Sequence, residues 1–201
     1  MINHNSIFLR LLSICMAMTV CFPGLAQRVE ISLTNDWKFI RGEQPGAEKP
    51  SFNDSDWSDV TIPHDYAIVG PFDRDNDLQD VQNIQNGERN INRKTGRTGG
   101  LPYDGIAWYR RRIYTKPGCM TILQFDGAMS EATIYVNGKR VGFEPNGYAA
   151  FTVDITKETS HGGEQLVAVR LENRQQSSRW YPGAGLYRNV SLIKLRKVHF
   201  C

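Results

Sequence analysis

Cysteine is scarce in this sequence: it has four in 201 residues, and Cys15 and Cys21 lie within the first 26 positions. The other two, Cys119 and Cys201, could form a disulfide in an exported protein, but a single pair gives no disulfide framework. Neither has the spacing of a metal site, and the histidines after position 26 are scattered along the chain. The sequence therefore predicts no metal and no other cofactor.

Neither sign of charge dominates the composition. The chain has 24 Lys and Arg residues against 21 Asp and Glu residues, a formal net charge of +3. This balance argues against nucleic acid and against an anionic membrane surface as partners. One basic run, Arg110 to Arg112, lies in a predicted strand, where alternation divides it between two faces. We expect these arginines to be solvated or ion-paired rather than to form a phosphate site.

Long apolar runs are absent except near the N-terminus, where residues 11–22 are uncharged and mostly apolar. This run is too short to span a bilayer, and it follows a single positive charge and precedes small residues. The pattern predicts a secretory signal peptide over residues 1–26, cleaved near Ala26, and an exported protein in the periplasm or outside the cell. A lipoprotein anchor ranks second, because a bulky residue precedes each early cysteine where lipidation requires a small one.

Helical periodicity is almost absent from residues 27–201, about 175 residues, which suffice for one well-packed domain. Apolar and polar residues alternate instead in short runs separated by Gly, Pro and Asn, which is typical of β-strands. Asn137-Gly138, between two such runs, predicts a type I′ hairpin turn. About nine strands are predicted, in residues 28–33, 36–40, 60–63, 107–115, 120–125, 131–143 (a hairpin), 148–155, 165–172 and 187–195. The pattern indicates an all-β fold, an antiparallel β-sandwich of the jelly-roll type.

One segment, residues 73–100, interrupts this pattern, since it is rich in Asn, Asp, Gln, Arg and Gly and poor in apolar residues. Its acidic residues Asp73, Asp75 and Asp77 have the spacing that begins a calcium-binding loop. The match fails because the sixth position is Leu78 rather than glycine and the twelfth is not glutamate. We predict a long solvated loop, which in a compact domain is either functional or disordered.

Short motifs occur in a definite order along residues 27–201. They are DWKF at 36–39, FNDSDW at 52–57, IPHDY at 62–66, GIAWYRR at 105–111, FDGAM at 125–129, YVNGKRVG at 135–142, NGY at 146–148 and SSRWYPGAGLYRNVSL at 177–192. In this order they resemble the N-terminal sugar-binding jelly-roll domain of glycoside hydrolase family 2, most of all its exported β-galactosidase-like members. The ordered set, rather than any single motif, carries the resemblance.

The resemblance implies a multidomain retaining glycosidase, which hydrolyses O-glycosyl bonds and in which this domain orients the substrate. The acid/base and nucleophile glutamates of that family lie on a separate (β/α)8 barrel of roughly 250 residues. Residues 27–201 cannot contain such a barrel, so we expect no catalytic residue and no turnover from this chain alone. The implied partners are a carbohydrate, such as a β-galactoside or related glycan, and a (β/α)8 catalytic domain normally in the same chain.

The last motif places Arg179, Trp180 and Tyr181 on one loop, beside Pro182 and two glycines. A pyranose has apolar C–H faces and a rim of hydroxyls, which an aromatic ring and charged groups bind together. The residues alone leave a second interpretation, in which the aromatics close the open end of the sandwich and the arginine pairs with an acidic neighbour. The resemblance favours substrate contact, because loops of this domain reach the catalytic pocket in that family.

A second loop precedes the strand at 107–115. The resemblance places Asp104 where related enzymes have a polar residue in contact with the substrate. From the residues alone, Asp104 followed by glycine predicts a simple turn at least as well. Some β-galactosidases of the family have an acidic residue at the position of Arg179 that helps to hold a sodium ion, and arginine there argues against a metal.

His64 and Asp65 directly follow the predicted strand at 60–63, and adjacent side chains of an extended segment point to opposite faces, so they do not form a simple catalytic pair. We expect Asp65 to cap a turn and His64 to pack near a domain junction. Three tryptophans, Trp37, Trp57 and Trp108, are predicted in the core or at inter-domain contacts. Two other functions stay open at this point: a stand-alone carbohydrate-binding module that uses the same loop, and a structural β-sandwich that mediates protein contacts.

Overall fold

Nearly all of the regular structure consists of strands. The computed structural model describes residues 28–75, 79–85, 87–95, 105–174 and 183–196. These ranges contain β1 (Arg28–Ser32), β2 (Trp37–Arg41), β3 (Ser58–Val60), one 3₁₀ helix (Tyr66–Val69), β4 (Gln79–Gln85), β5 (Glu88–Thr95), β6 (Gly105–Thr115), β7 (Cys119–Phe125), β8 (Ala132–Val136), β9 (Lys139–Glu144), β10 (Phe151–Asp154), β11 (Gly163–Asn173) and β12 (Val190–Arg196). Within them, no helix is long and apolar enough to cross a membrane.

Ten of the strands form two sheets with a shared core. The four-stranded sheet has the order β1-β12-β7-β10, and the six-stranded sheet has the order β3-β2-β6-β11-β8-β9. Neighbouring strands run antiparallel, and the longest pairing joins β6 to β11 over their full length, from Gly105–Asn173 to Thr115–Gly163. The predicted all-β antiparallel β-sandwich is confirmed.

Strand alternation fills the space between the two sheets. Tyr109 of β6, Leu123 of β7 and Val169 of β11 are fully buried there in one apolar cluster. The rings of Phe125 and Phe151, on neighbouring strands, stack with their centroids 4.7 Å apart. Burial of apolar area on this scale, at about 25 cal/mol per Å², is the main term that stabilises the sandwich.

The six-stranded sheet is also covered on its outer face. The connection between β2 and β3, residues 42–57, which we call the covering segment, places Trp57 against Trp108 of β6 and Ala168 of β11. Trp37 lies on the core side with no exposed surface. Of the two locations predicted for the three tryptophans, core or inter-domain contact, the structure shows the core.

The basic run of β6 is ion-paired, as predicted, but its three members differ in burial. Arg112 is exposed, and its Nη1 lies 2.7 Å from Oε1 of Glu164. Arg110 is buried beneath the covering segment, with its Nη1 3.0 Å from Oδ2 of Asp54. Arg111 has its nearest carboxylate at 3.7 Å. Position along one strand thus gives chemically identical side chains different surroundings.

The turn predicted at Asn137-Gly138 joins β8 to β9. Both residues have positive φ, +50° and +86°, as a type I′ turn requires. The amide of Asn137 also donates from Nδ2 to Oε1 of Gln165 at 2.6 Å, and its Oδ1 accepts from the backbone N–H of Leu166 at 2.9 Å. One residue therefore forms the turn and fastens the hairpin to β11.

The prediction of a solvated loop over residues 73–100 is wrong for much of that segment. Strands β4 and β5 pair with each other and form a separate two-stranded antiparallel sheet. The turn between them contains Gly87, with φ of +81°. Asn86-Gly87 is the same dipeptide that predicts the β8–β9 turn. The turn was missed because the residues on either side are polar and do not show the alternating pattern of strands. Ladder hydrogen bonds satisfy backbone groups whatever the side chains are, so a polar ribbon can pair.

Candidate functional site

The four predicted substrate-binding residues, Asp104, Arg179, Trp180 and Tyr181, lie outside the described residues. Their assignment stays a prediction. The nearest described residues, Gly105 after Asp104 and Arg174 and Gly183 around the other three, belong to one end of the sandwich. Gly105, which follows Asp104, is the pairing partner of Asn173, after which the chain enters the loop of Arg179, Trp180 and Tyr181. Both loops therefore attach to the same end of the β6–β11 pair.

Asn173 joins the two ends of the loop that contains the predicted aromatic residues. It is the last residue of β11, it is buried, and its Nδ2 donates to the carbonyl of Gly183 at 3.3 Å. The Oδ1 of Asn173 accepts from the hydroxyl of Ser130 at 2.8 Å. Since Asn173 and Gly183 border residues 174–182, the bond between them holds the base of that loop closed, and the bond from Ser130 fixes Asn173 in place.

Asp65 fixes the chain just beyond Gly183. Its Oδ1 accepts from the backbone N–H of Ala67 at 2.9 Å and caps the 3₁₀ helix, as predicted from the sequence. The same oxygen accepts from the N–H of Ala184 at 3.0 Å, and Tyr66 N–H donates to the carbonyl of Ala184 at 3.2 Å. A single carboxylate thereby orders both the 3₁₀ turn and the chain segment that follows the loop.

Gly185 occupies a space that admits no side chain. Its backbone exchanges two hydrogen bonds of 3.0 Å with Met129. A Cβ at this position would lie 2.5 Å from the carbonyl oxygen of His64 and 2.5 Å from the hydroxyl oxygen of Tyr109. Glycine is therefore required here to let three chain segments meet.

His64 and Asp65 have different partners, as the prediction that they form no simple catalytic pair requires, while the position of His64 near a domain junction stays a prediction. The Nδ1 of His64 lies 2.7 Å from the hydroxyl of Tyr109, and the imidazole packs edge-on against Phe39 at a centroid distance of 4.7 Å. Burial lowers the pKa of His64, although the charge of Asp65 opposes that effect. Burial also raises the pKa of Tyr109 well above its ordinary value. At neutral pH the pair is an uncharged imidazole and an uncharged phenol.

Loss of stability on mild acidification is expected to depend on His64. Its pKa is lower in the folded state than in the unfolded state, so below about pH 6.5 the unfolded chain binds more protons. The stability that the fold gains by keeping His64 uncharged is thus complete above the pKa of His64 in the unfolded chain, and it decreases as pH falls below that value. We expect the melting temperature of the wild type to fall between pH 7 and pH 5 by more than that of His64→Gln.

The matched control for this titration is His161→Gln, which replaces an exposed histidine outside the site. It should retain the wild-type slope of melting temperature against pH. Equal slopes for the wild type and His64→Gln would show that His64 is not held neutral by the fold.

Charged residues that the sequence patterns did not single out form a network on the outer face of the six-stranded sheet, near the end where Gly105 pairs with Asn173. Arg170 binds Glu43 at 2.6 Å and Glu172 at 2.8 Å, and the indole N–H of Trp108 donates to Glu43 at 3.0 Å. The hydrogen bond from Arg170 is the main cause that lowers the pKa of Glu43. These residues come from distant parts of the sequence, and so do Asn173 and Ser130, so no spacing rule finds them. Gly183 and Gly185, on either side of Ala184, were the one local feature of the sequence that pointed to the loop base.

The described residues bear on the metal prediction but not on the termini. Among the described ranges, no group of three or more His, Cys, Asp or Glu side chains is placed to hold a metal ion. The predicted signal peptide, residues 1–26, and Cys201 lie outside these ranges. Export, and any disulfide from Cys119, stay predictions.

Known proteins with similar sequences come from one family. The profile of the family described as "Glycosyl hydrolases family 2, sugar binding domain" matches residues 31–196. The beta-galactosidase BoGH2A of Bacteroides ovatus is 33% identical over 168 residues, which cover 82% of this chain and 18% of that protein. A putative beta-glucuronidase of Formosa agariphila is 30% identical, over 92% of this chain and 17% of its own length.

Solved structures of the same family have the same fold. A glycosyl hydrolase family 2 member from Bacteroides cellulosilyticus matches with a TM-score of 0.70 at 33% identity, covering 86% of this chain and 21% of that one. A beta-glucuronidase from Bacteroides uniformis matches with a TM-score of 0.66 at 29% identity, covering 87% and 19%. This chain thus spans about a fifth of the length of these proteins. Since the family profile covers most of the chain, the chain belongs to the sugar-binding domain family of glycosyl hydrolases family 2.

Proposed function

We propose that this domain orients a glycan for a (β/α)8 catalytic domain, and that Arg179, Trp180 and Tyr181, with Asp104, contact the sugar. The observation that carries the proposal is the common attachment of both predicted loops to the paired residues Gly105 and Asn173. Loops that leave neighbouring strands at one end of a sandwich can present their side chains to one ligand.

The anchored base of the loop that carries Arg179, Trp180 and Tyr181 supports this role. Asn173 and Asp65 hold Gly183 and Ala184 through hydrogen bonds of 3.3 and 3.0 Å. A loop with fixed ends and a proline loses less conformational entropy when it binds a ligand. An aromatic ring on such a loop can stack on the C–H face of a pyranose while the guanidinium and carboxylate bind hydroxyls.

We propose a β-galactoside as the sugar and O-glycosyl hydrolysis as the reaction of the complete enzyme. The name of the Bacteroides ovatus relative, a beta-galactosidase, supports this choice, while other relatives are named as glucuronidases. The contribution of this domain is positioning, which raises the rate of a reaction that another domain performs. The predicted signal peptide supports export to the periplasm or the exterior.

The proposal is tested by titrating the 201-residue chain with lactose, galactose and an unrelated glycan, followed by calorimetry or NMR. We expect Trp180→Ala and Arg179→Ala each to weaken lactose binding by about tenfold or more, since either loses over about 1.4 kcal/mol of contact energy. No hydrolysis is expected from the chain alone.

The control variant is Tyr114→Ala, which removes a 69% exposed aromatic side chain from β6. It should bind lactose as the wild type does. Lactose binding that survives Trp180→Ala and Arg179→Ala unchanged would overturn the loop assignment. Absence of any sugar binding would favour a structural sandwich instead.

A further inference from the structure

Strands β4 and β5 form a two-stranded ribbon with no third strand beside it. They pair only with each other, and within the described residues neither strand joins the two sheets of the sandwich or packs extensively against their strands. Each strand of the ribbon therefore has one edge whose backbone N–H and C=O groups have no ladder partner among the described strands. A two-stranded sheet alone is marginally stable in water and gains stability from a third strand.

The two edges of the ribbon differ in their protection against further pairing. Charged residues and β-bulges are features that keep an edge strand from pairing with another chain. Four of the eight residues of β5 are charged: Glu88, Arg89, Arg93 and Lys94. β5 also has a bulge, because it has two residues between Asn92 and Thr95 where β4 has one between Val81 and Gln79. β4 has a single charged residue among seven, Asp80, and no proline, so its edge is the one open to another strand.

The register of the ribbon shows which backbone groups lie on the open edge of β4. A two-residue connection joins Gln85 to Glu88, so this pair exchanges both of its ladder hydrogen bonds. Bonded and non-bonded pairs alternate along an antiparallel ladder, so Asn83 is also bonded to β5. Gln82 and Ile84, on either side of Asn83, therefore direct their N–H and C=O groups away from β5.

We propose that the open edge of β4 is a dimerisation surface, on which β4 of a second copy of this chain pairs in antiparallel orientation. A two-fold axis at Asn83 places Gln82 of one copy opposite Ile84 of the other, where both residues direct backbone groups toward the partner. The result is one sheet of order β5-β4-β4-β5 that spans the two copies. Each copy thereby supplies the third strand that the other ribbon lacks.

The charges of the two strands favour this partner. In the two-fold arrangement the two copies of Asp80 lie six residues apart along the paired strands, about 20 Å at ~3.3 Å per residue, which exceeds the screening length. Pairing of β5 with its own copy would instead bring together strands with three basic residues and one acidic residue each. The proposed (β/α)8 catalytic domain offers no strand edge, because its sheet is closed and surrounded by helices.

Sedimentation of the full chain over a range of concentrations tests for the dimer. A short strand pairing buries little area, so we expect a monomer–dimer equilibrium with a dissociation constant in the micromolar range. A chain that stays monomeric at every concentration up to the millimolar range would overturn the proposal.

Amide hydrogen exchange followed by NMR locates the surface. We expect the amides of Gln82 and Ile84 to become protected as the concentration rises. The amides of Arg89 and Ile91, their pairing partners on β5, point to the opposite edge and should exchange equally fast at all concentrations. Protection of the β5 edge instead of the β4 edge would contradict the assignment.

The variant Gln82→Pro removes an N–H that points away from β5, so it breaks no hydrogen bond of the ribbon, and proline is tolerated at such edge positions. We expect it to weaken dimerisation by at least about tenfold, because the two-fold symmetry removes this bond from both halves of the interface. Ile91→Pro is the matched control, since it removes the corresponding N–H from the other edge and should dimerise as the wild type does. A dimer of wild-type strength in Gln82→Pro would overturn the proposal.

The variant Gln82→Lys keeps the test decisive if proline disturbs the ribbon. It adds a like charge to each copy next to the two-fold axis, so we expect weaker dimerisation at low salt and partial recovery at high salt. Asn92→Lys, on β5, is its control and should dimerise as the wild type does. Equal dimerisation of the two lysine variants would contradict the site. None of these measurements involves a sugar, so this proposal and the sugar-binding loops can fail separately.

Discussion

The variant Arg110→Ala is expected to lose about 3–4 kcal/mol of unfolding free energy, because breaking a buried ion pair leaves its remaining partners without compensation. The Arg110 side chain is 1% exposed. Besides the carboxylate of Asp54, it binds the backbone carbonyls of Phe52 and Lys49 at 3.0 and 3.1 Å. The ring of Trp57 lies 5.7 Å from the guanidinium carbon. Arg110 thus fastens the covering segment to the outer face of the sheet.

Urea unfolding followed by circular dichroism measures the difference, and Arg112→Ala is the control. Arg112 belongs to the same strand and also forms an ion pair, but its side chain is 53% exposed and Glu164 is 58% exposed. An exposed pair contributes about 0–1 kcal/mol, so its loss should be small. Similar losses in the two variants would mean that burial of Arg110 does not determine its contribution.

Gly185→Ala is expected to destabilise the domain by about 2–6 kcal/mol, from two effects of about 1–3 kcal/mol each. The backbone φ of Gly185 is +106°, which side-chain-bearing residues rarely adopt. In addition, the new Cβ would lie 2.5 Å from both the His64 carbonyl oxygen and the Tyr109 hydroxyl. Relief of these clashes requires the turn after β3, the strand β6 or the loop base to move.

Gly105→Ala separates the two effects. Gly105 has the same φ of +106°, but a Cβ there would meet nothing within 4 Å. It should show the conformational effect alone, about 1–3 kcal/mol, in the same urea experiment. If Gly105→Ala destabilises as much as Gly185→Ala, the close approach at the loop base contributes nothing to stability.

Both experiments bear on how the domain supports its proposed site. Gly185 and Asn173 hold the base of the loop that carries the predicted sugar contacts, whereas Arg110 acts on the outer face of the sheet. We therefore expect Gly185→Ala to impair lactose binding even at temperatures where the variant remains folded. Arg110→Ala should impair it only in proportion to unfolding.

The features that could be predicted from the sequence are those that depend on neighbouring residues. Alternating polarity specified the sandwich strands, since side chains of a strand point to opposite faces. Asn137-Gly138 specified a turn because both residues tolerate positive φ. Asn86-Gly87 contained the same signal, and only the polar flanking residues made residues 73–100 look like a loop. The Asp65 cap was equally local, because its carboxylate reaches a backbone N–H two residues away.

Which of the three consecutive arginines is buried could not be predicted from the sequence, because that depends on what covers each face of β6. It also brought Asn173, Ser130 and Gly183 together from three separate parts of the chain. Such contacts arise when the sheets pack, and their free energy depends on burial and distance rather than on spacing along the chain. Local patterns thus determine strands and turns, whereas the surroundings of each polar side chain are set by packing.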